Sequence, residues 1–164
     1  MIEILITDTM LQAATKRGQY QMNRNSFMKG AGNLPGFLGE EILKSIRPDL
    51  ELKDTFDYDF ISPNGKTIDV KSKVQGVDMK PAPNWMASVA EKSLHQGCDY
   101  YIFCRIFKQG GIFVKGWIVG WISKADFVAD ARVMKKGEQE GDNGFWVVND
   151  CRSLPYSQLR EFYI

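Results

Sequence analysis

Apolar residues recur at helical spacing in the first third of the chain. They predict a helix from Thr7 or Asp8 to about Met22 and a second helix that begins after Asn33 and ends before Pro48. The second helix carries an apolar stripe made by Leu34, Phe37, Leu38, Ile42, Leu43 and Ile46. Asparagine is a favoured N-cap and the residue before a proline avoids the helical region, so both ends of this helix are defined.

The next segment alternates between apolar and charged residues, which is the period of a strand rather than of a helix. The apolar positions are Tyr58, Phe60, Ile68 and Val70, and the charged positions are Asp57, Asp59, Asp69 and Lys71. A turn sequence separates the two halves, so the segment predicts a β-hairpin with one apolar and one charged face. We expect the apolar face to enter the core.

The turn of this hairpin sets which residues face each other across its two strands. Residues 62–65, Ser-Pro-Asn-Gly, suit a type I turn followed by a glycine in the left-handed conformation. That turn places Asp59 directly opposite Asp69, whereas a two-residue Asn-Gly turn would place Asp59 opposite Val70. Pro63 favours the first register, because proline suits the second position of a type I turn.

The rest of the chain predicts strands, one helix and loops. The predicted elements are a strand or helix lead-in at 2–6, a loop at 75–84, a helix at 85–96 between Asn84 and Gly97, a buried strand at 99–107, a second strand at 112–122, and a loop-rich ending at 123–164 with a strand at 145–148 and a short helix after Pro155. The order of elements indicates an α/β or α+β domain, in which helices pack against a central mixed sheet.

Composition narrows the class of protein. The 164 residues are 44% hydrophobic and 25% charged, which suits one soluble globular domain and excludes a disordered, collagen-like or coiled-coil chain. No apolar run approaches the roughly 20 residues that a membrane-spanning helix needs, and the N-terminus lacks the basic region of a signal peptide. Three cysteines without CxxC spacing indicate reduced thiols, so we expect an intracellular, cytoplasmic protein.

Charge is concentrated locally rather than over the whole chain. The formal net charge of +1 gives no overall attraction for a polyanion, so a nucleic-acid partner must be held by a local patch. The most basic segment carries Lys16, Arg17, Arg24 and Lys29. We expect these four residues to contact phosphates near the charged face of the hairpin. The alternative is that they form a solvated surface. Lys73, on the charged face of the hairpin, is a further candidate for phosphate contact, with a solvated lysine as the alternative.

The charged face of the hairpin has the residue types of a metal site. Two carboxylates that face each other across a sheet repel, so Asp59 and Asp69 need a neutralising partner. Divalent cations such as Mg²⁺ prefer oxygen ligands, and strand alternation places Lys71 on the same face as Asp69. A metal-bound water is a strong nucleophile, which a neighbouring lysine can orient or deprotonate. The pattern therefore predicts a hydrolytic metal site, with a solvated polar face as the alternative.

Three sequence blocks lie on the second predicted helix and on the two strands of the predicted hairpin: GFLGEEIL at 36–43, YDF at 58–60 and IDVKSK at 68–73. In this order the chain resembles the PD-(D/E)XK, or restriction-endonuclease-like, nuclease superfamily over about residues 30–107, with Tyr58 in place of the motif's proline. The resemblance implies a single nuclease-like domain whose core, at about 30–122, has the order helix–hairpin–strand–helix–strand. It also implies an N-terminal helix at 8–22 and an extension at 123–164. The tail, with GWI, SKADF and SLPYSQL, is similar to small phage-encoded members.

The resemblance implies a Mg²⁺-dependent deoxyribonuclease, an endonuclease rather than an exonuclease, in the host cytoplasm if a phage encodes it. The implied catalytic residues are Glu40, Asp59, Asp69 and Lys71, and the three carboxylates would hold Mg²⁺ or Mn²⁺. Glu41 is the alternative to Glu40, because Glu41 borders the apolar stripe whereas the G-x-x-G-E spacing favours Glu40. A non-catalytic nucleic-acid-binding or assembly protein on this scaffold is the alternative function, and a homodimer is one assembly compatible with either.

Overall fold

A computed structural model describes residues 1–21, 34–53, 55–140 and 145–162. Within these ranges the helices are α1 (Asp8–Gln21), α2 (Leu34–Ile46) and α3 (Lys124–Asp130). The strands are β1 (Ile2–Leu5), β2 (Glu51–Leu52), β3 (Phe60–Ile61), β4 (Thr67–Gln75), β5 (Met86–Ala90), β6 (Tyr100–Gln109), β7 (Ile112–Ser123), β8 (Arg132–Met134), β9 (Gln139–Glu140), β10 (Phe145–Trp146) and β11 (Cys151–Pro155). Short 3₁₀ turns cover Glu91–Ser93 and Tyr156–Gln158.

A six-stranded sheet forms the centre of the molecule and is covered on both faces. Its strand order is β1-β7-β6-β4-β3-β2, in which β4 and β6 run parallel and the other neighbours run antiparallel. Helices α1 and α2 cover one face, and a three-stranded antiparallel sheet of order β5-β11-β8 covers the other together with α3. The predicted mixed α/β architecture with a central mixed sheet is therefore confirmed.

Helix α2 packs directly on strand β4, and this contact positions Glu40. The predicted apolar stripe is confirmed, and its buried members are Phe37, Leu38, Ile42 and Leu43. At Gly39 a Cβ atom would overlap Ser72 Oγ and would lie 3.4 Å from Val70 Cγ1. Helix and strand approach this closely because residue 39 has no side chain. The next residue along the helix, Glu40, is consequently held against the sheet.

The predicted hairpin turn is confirmed. Gly65 has a φ of 78°, and the Ser62 amide donates to the Lys66 carbonyl at 2.8 Å, as expected for a three-residue loop with a left-handed glycine. Strand β3 pairs Phe60 with Ile68, which is the register that this turn predicts. The local turn chemistry was therefore sufficient to define how the two strands align.

The faces of this hairpin differ in one respect from the prediction. Phe60, Ile68 and Val70 face helices α1 and α2, as expected for the apolar face. The expectation that Tyr58 shares that face is wrong, because β3 begins at Phe60 and Tyr58 packs in the layer on the opposite side. Asp69 on the charged face has only 4% of its surface exposed. The second layer thus covers what the sequence alone presents as a polar surface.

The predicted helix at 85–96 is wrong, because this segment forms β5 and the 3₁₀ turn that follows it. Met86, Ala87 and Ala90 favour helices in isolation, but long-range pairing of β5 with β11 overrides that propensity. Residues 76–99, all of which the structure describes, contain no α-helix. The crossover between the parallel strands β4 and β6 therefore lacks the helix that the nuclease resemblance implies.

The chain after residue 122 contains more regular structure than the predicted loop-rich ending. Helix α3 and strands β8 and β11 belong to the second layer. The predicted strand at 145–148 is reduced to β10, and the predicted helix after Pro155 is a 3₁₀ turn. None of the helices that the structure describes has both the length and the apolar character needed to cross a membrane.

Candidate active site

Four of the predicted site residues lie together where β3 begins beside β4. Asp69 and Lys71 belong to β4, Asp59 lies immediately before β3, and Glu40 comes from α2. Glu40, Asp69 and Lys71 each exert an electrostatic effect on the Asp59 carboxyl. We call Glu40, Asp59, Asp69 and Lys71 the carboxylate cluster. Three elements that are separate in the sequence thus converge on one point of the central sheet.

Asp59 is held at the edge of β4 by its backbone and its side chain. Its amide donates to the Ile68 carbonyl at 2.9 Å, and its Oδ2 accepts from the Val70 amide at 2.7 Å. These contacts straddle Asp69, so the two aspartates are neighbours without forming the ladder pair that the turn register predicts. Backbone amides lie in the plane of a sheet. The Asp59 carboxylate therefore lies at the sheet edge, between Glu40 on the helix side and Asp69 on the other side.

Lys71 is paired with Asp69, as their spacing along the strand predicts. The Lys71 Nζ atom lies 2.6 Å from Asp69 Oδ2 and donates to Gln96 Oε1 at 3.2 Å. Asp69 Oδ2 is buried, and it makes no well-aligned hydrogen bond to a described residue in addition to this ion pair. One oxygen of the buried aspartate thus retains capacity for a further ligand.

Glu40, rather than Glu41, is the helix carboxylate that belongs to this cluster. Glu40 is among the groups that act on Asp59 and has 5% of its surface exposed, whereas Glu41 is half-buried. Arg17 of α1 forms ion pairs with both glutamates, through Nη2 to Glu40 Oε2 and through Nη1 to Glu41 Oε1 at 3.4 Å. Arg17, predicted as a phosphate contact, therefore neutralises the helix carboxylates in this structure.

The two aspartates of the cluster are costly to ionise. Burial raises the pKa of Asp59 well above its usual range, and repulsion from Glu40 and Asp69 raises it further. Burial also raises the pKa of Asp69, although the attraction of Lys71 offsets part of this effect. Perturbed carboxylates beside a specific charged partner are typical of functional sites.

The donor atoms of the cluster suit a hard divalent cation. Asp59 and Asp69 offer carboxylate oxygens, and a dication would relieve both their repulsion and the incomplete bonding of Asp69 Oδ2. As the described residues stand, no three His, Cys, Asp or Glu side chains are arranged to hold one ion. Glu40 is instead ion-paired with Arg17.

The other predicted phosphate contacts have different environments. Lys16 is exposed on α1, whereas Lys73 lies 2.9 Å from Glu140 in an ion pair. Arg24 and Lys29 lie outside the described residues. Phosphate binding by this set stays a prediction, and of its described members Lys16 is the exposed one.

Two polar residues beside the cluster were not predicted from the sequence. Gln96 accepts from Lys71 and donates through Nε2 to the Phe56 carbonyl at 2.6 Å. Lys124 donates to the Gln96 carbonyl, and its charge acts to lower the pKa of Asp69, which burial raises. Gln96 was missed because the sequence predicted a helix over residues 85–96, which gave Gln96 no place beside the hairpin. The position of Lys124 at the start of a helix could have been predicted from the sequence. Ser123 caps α3 by accepting from the Asp126 amide, and Ser-x-x-Asp is a recognisable helix start.

A second polar cluster lies on the same face of β4, two residues beyond Lys71. Glu140 accepts from Lys73 at 2.9 Å, from Ser153 at 3.0 Å and from Ser88. Burial acts to raise the pKa of Glu140, but Lys73 and the serine hydroxyls outweigh it and hold that pKa below its usual range. We call Lys73, Ser88, Glu140 and Ser153 the lysine–glutamate cluster.

Comparisons with known proteins assign no family to the chain. No protein-family model matches it. No curated protein is similar to it at a significant level. The functional interpretation therefore depends on the geometry and chemistry of the two clusters.

Proposed function

We propose that this protein is a metal-dependent nuclease that hydrolyses phosphodiester bonds in DNA, cutting within strands. The main support is the convergence of Glu40, Asp59, Asp69 and Lys71 at the start of β3. These are the four residues that the resemblance to PD-(D/E)XK nucleases implies. Buried carboxylates with raised pKa values beside an ammonium group are a suitable arrangement for phosphodiester hydrolysis.

The chain's own groups have distinct roles in this proposal. Mg²⁺ or Mn²⁺, held by Asp59 and Asp69 with Glu40, would supply an activated water and neutralise charge on the phosphate. Lys71 can donate to an oxygen of the attacked phosphate, where negative charge develops, or orient the nucleophilic water. Gln96 accepts a hydrogen bond from Lys71 and so fixes the direction of the ammonium group.

Arg17 links substrate binding to the state of Glu40. A guanidinium group binds phosphate as well as it binds carboxylate, with the same planar donors. A DNA backbone that draws Arg17 away would leave Glu40 available to the metal. This exchange would reconcile the predicted phosphate contact of Arg17 with the ion pairs that it forms in this structure.

The direct test is cleavage of supercoiled plasmid and of branched DNA in Mg²⁺, in Mn²⁺ and in EDTA. We expect nicked and linear products with either metal and none with the chelator. Asp69→Asn and Glu40→Gln, purified identically, should lose cleavage. A circular single-stranded substrate separates the two modes, because only an endonuclease can open it. A wild type that cuts none of these substrates with either metal would contradict the proposal.

A second candidate is a non-catalytic nucleic-acid-binding or assembly protein on the same scaffold. It is favoured by the fact that protein cations already neutralise two of the carboxylates, Glu40 through Arg17 and Asp69 through Lys71. Melting temperatures with and without Mg²⁺ discriminate between the two, since a metal that binds the folded state raises its stability by mass action. DNA binding in EDTA, without a metal-induced shift, supports this second candidate.

A further inference from the structure

A cavity of about 430 Å³ lies between the six-stranded sheet and the three-stranded sheet, next to the lysine–glutamate cluster. The charged and hydroxyl side chains that line it include Lys71, Lys73, Ser88, Arg105 and Glu140. Trp146 and Val148 also line it and have 65% and 73% of their surface exposed. The cavity therefore reaches the protein surface and is accessible to a solute.

Arg105 of β6 is the least balanced charge in this cavity. It has 5% of its surface exposed, its Nε donates to the Tyr156 hydroxyl at 2.6 Å, and its guanidinium lies 5.1 Å from the centre of the Trp85 ring. Burial raises the pKa of Tyr156 to about 12, so this hydroxyl is neutral and does not balance the arginine. Arg105 forms no ion pair with a carboxylate of the described chain, and its terminal nitrogens make no hydrogen bond there.

A second cation lies beside Arg105. Lys73 is its register partner across the parallel strands β4 and β6, and register partners share a face of the sheet. Glu140 neutralises Lys73, and Asp69 neutralises Lys71, so one positive charge remains on the cavity wall. A buried charge without a counter-ion is strongly unfavourable. The cavity therefore favours an anionic guest.

We propose that this cavity binds a phosphate group, with Arg105 as its principal anchor and Lys73 beside it. The terminal nitrogens of an arginine match two phosphate oxygens, which suits phosphate better than a spherical anion. Glu140 opposes an anion, but its oxygens already accept from Lys73 and two serine hydroxyls. The space exceeds that of a phosphate alone, and Trp146 offers a stacking surface for an attached base. The proposal does not depend on cleavage by the carboxylate cluster.

Calorimetry in EDTA tests this binding with no metal present. Inorganic phosphate and deoxyadenosine monophosphate should bind, and deoxyadenosine should not. Two short oligonucleotides, with and without a terminal phosphate, identify the source of the group. If both oligonucleotides bind equally, the site recognises the phosphodiester backbone of the strand. If only the oligonucleotide with the terminal phosphate binds, the site recognises a phosphate monoester. A wild type that binds no phosphate-bearing ligand at millimolar concentration overturns the proposal.

Variants distinguish this site from non-specific attraction. Arg105→Met should weaken phosphate binding about 10- to 100-fold, the range for loss of a hydrogen bond to a charged group. The fold should survive, because replacing an unbalanced buried charge by an apolar side chain is often neutral or stabilising. Arg160→Met is the matched control, since Arg160 also stacks on a tryptophan, at 5.0 Å from Trp121, but lies outside this cavity.

A double variant keeps the test valid if Arg105→Met does not fold. Lys73→Met with Glu140→Gln removes a cation and its partner together, so the net charge is unchanged and no carboxylate is left unpaired. Binding should weaken with this variant too, and wild-type affinity in every variant that folds would exclude the site. All binding is measured in EDTA, so a negative result here and a negative result in the cleavage assay can be told apart.

Discussion

Asp69 and Lys71 of the carboxylate cluster share one face of β4 with Lys73 of the lysine–glutamate cluster. The buried carboxylates of the two clusters behave in opposite ways. In the carboxylate cluster, burial and repulsion raise the pKa of Asp59. In the lysine–glutamate cluster, Glu140 is also buried, with 7% of its surface exposed, yet its pKa lies below the usual range. Burial alone therefore does not decide the direction of the shift. The partners of each carboxylate do.

The difference lies in the number of donors for each negative charge. Glu140 accepts from an ammonium group and two hydroxyls, so its charge is compensated within the fold. Among the described residues, Asp59 accepts from one backbone amide, and the attraction of Lys71 is opposed by two neighbouring carboxylates. The first arrangement stabilises the contact between the two sheets. The second is relieved only by protonation or by a cation, which is why we assign function to it.

The largest expected effect is on catalysis. Lys71→Ala should reduce cleavage by about 10²–10³-fold, because Lys71 acts where negative charge develops on the phosphate. Lys53→Ala is the matched control: Lys53 follows β2 and pairs with Glu51 at 2.6 Å and the same two-residue spacing, but both side chains are exposed. Single-turnover cleavage rates measure both. A Lys71→Ala protein that is folded, binds metal and cuts at the wild-type rate would refute the mechanism.

The next largest effect is expected on the stability contributed by the lysine–glutamate cluster. Glu140→Gln should destabilise the protein by about 2 kcal/mol, because it breaks a largely buried pair and leaves Lys73 beside Arg105 without a counter-ion. Urea unfolding followed by circular dichroism measures the change. Glu138→Gln is the control, as Glu138 has the more exposed side chain, at 41%, and a long 3.8 Å contact to Arg132. Equal losses in the two variants would show that the buried network contributes nothing special.

Local sequence signals predicted much of the carboxylate cluster. The turn at 62–65 set the hairpin register, and the spacing of Asp69 and Lys71 placed them on one face. The apolar stripe of α2 favoured Glu41, and the G-x-x-G-E spacing favoured its neighbour Glu40, which the structure places beside Asp59. These features depend on contacts between residues that are close in sequence or on a single strand period, so pattern reasoning reaches them.

The lysine–glutamate cluster could not be predicted in the same way. It joins Lys73 to Ser88, Glu140 and Ser153, which belong to strands paired over long sequence distances. The helix-favouring composition of β5 concealed Ser88, because pairing with β11 overrides local propensity. Without that second layer, Lys73 reads as a solvated lysine. For the same reason, the sequence did not predict that the second layer buries Asp69, and this burial is the cause of its raised pKa.

A smaller effect of opposite sign is expected in the carboxylate cluster. Asp59→Asn should stabilise the metal-free protein by about 0.5–2 kcal/mol, because it removes a buried charge that its neighbours repel. The asparagine can still accept from the Val70 amide. In Mg²⁺ the order should reverse, since the wild type gains stability by binding the metal and the variant does not. Urea unfolding in EDTA and in Mg²⁺ provides the measurement. If Asp59→Asn is less stable than wild type in EDTA, the interpretation that ionised Asp59 destabilises the fold is wrong.

The smallest expected effect is the pH dependence of the stability differences between wild type and the variants Asp59→Asn and Glu140→Gln. The pKa of Asp59 is raised in the folded state, so folding favours its protonated form and the folded state gains stability as pH falls through that raised value. The advantage of Asp59→Asn should therefore be largest at neutral pH and shrink on acidification, well above the ordinary aspartate value of about 3.9.

The Glu140 pair should show the opposite range. Its folded pKa is lowered, so its contribution is complete above the ordinary glutamate value of about 4.3 and is lost as pH falls through the lower folded value. The cost of Glu140→Gln should hence stay constant from pH 7 to about pH 5 and diminish only below that. Both variants are measured against wild type in EDTA, so groups common to all three proteins cancel. Two differences that fade over the same pH range would remove the contrast between the clusters, because the sign and window of each follow from its own partners.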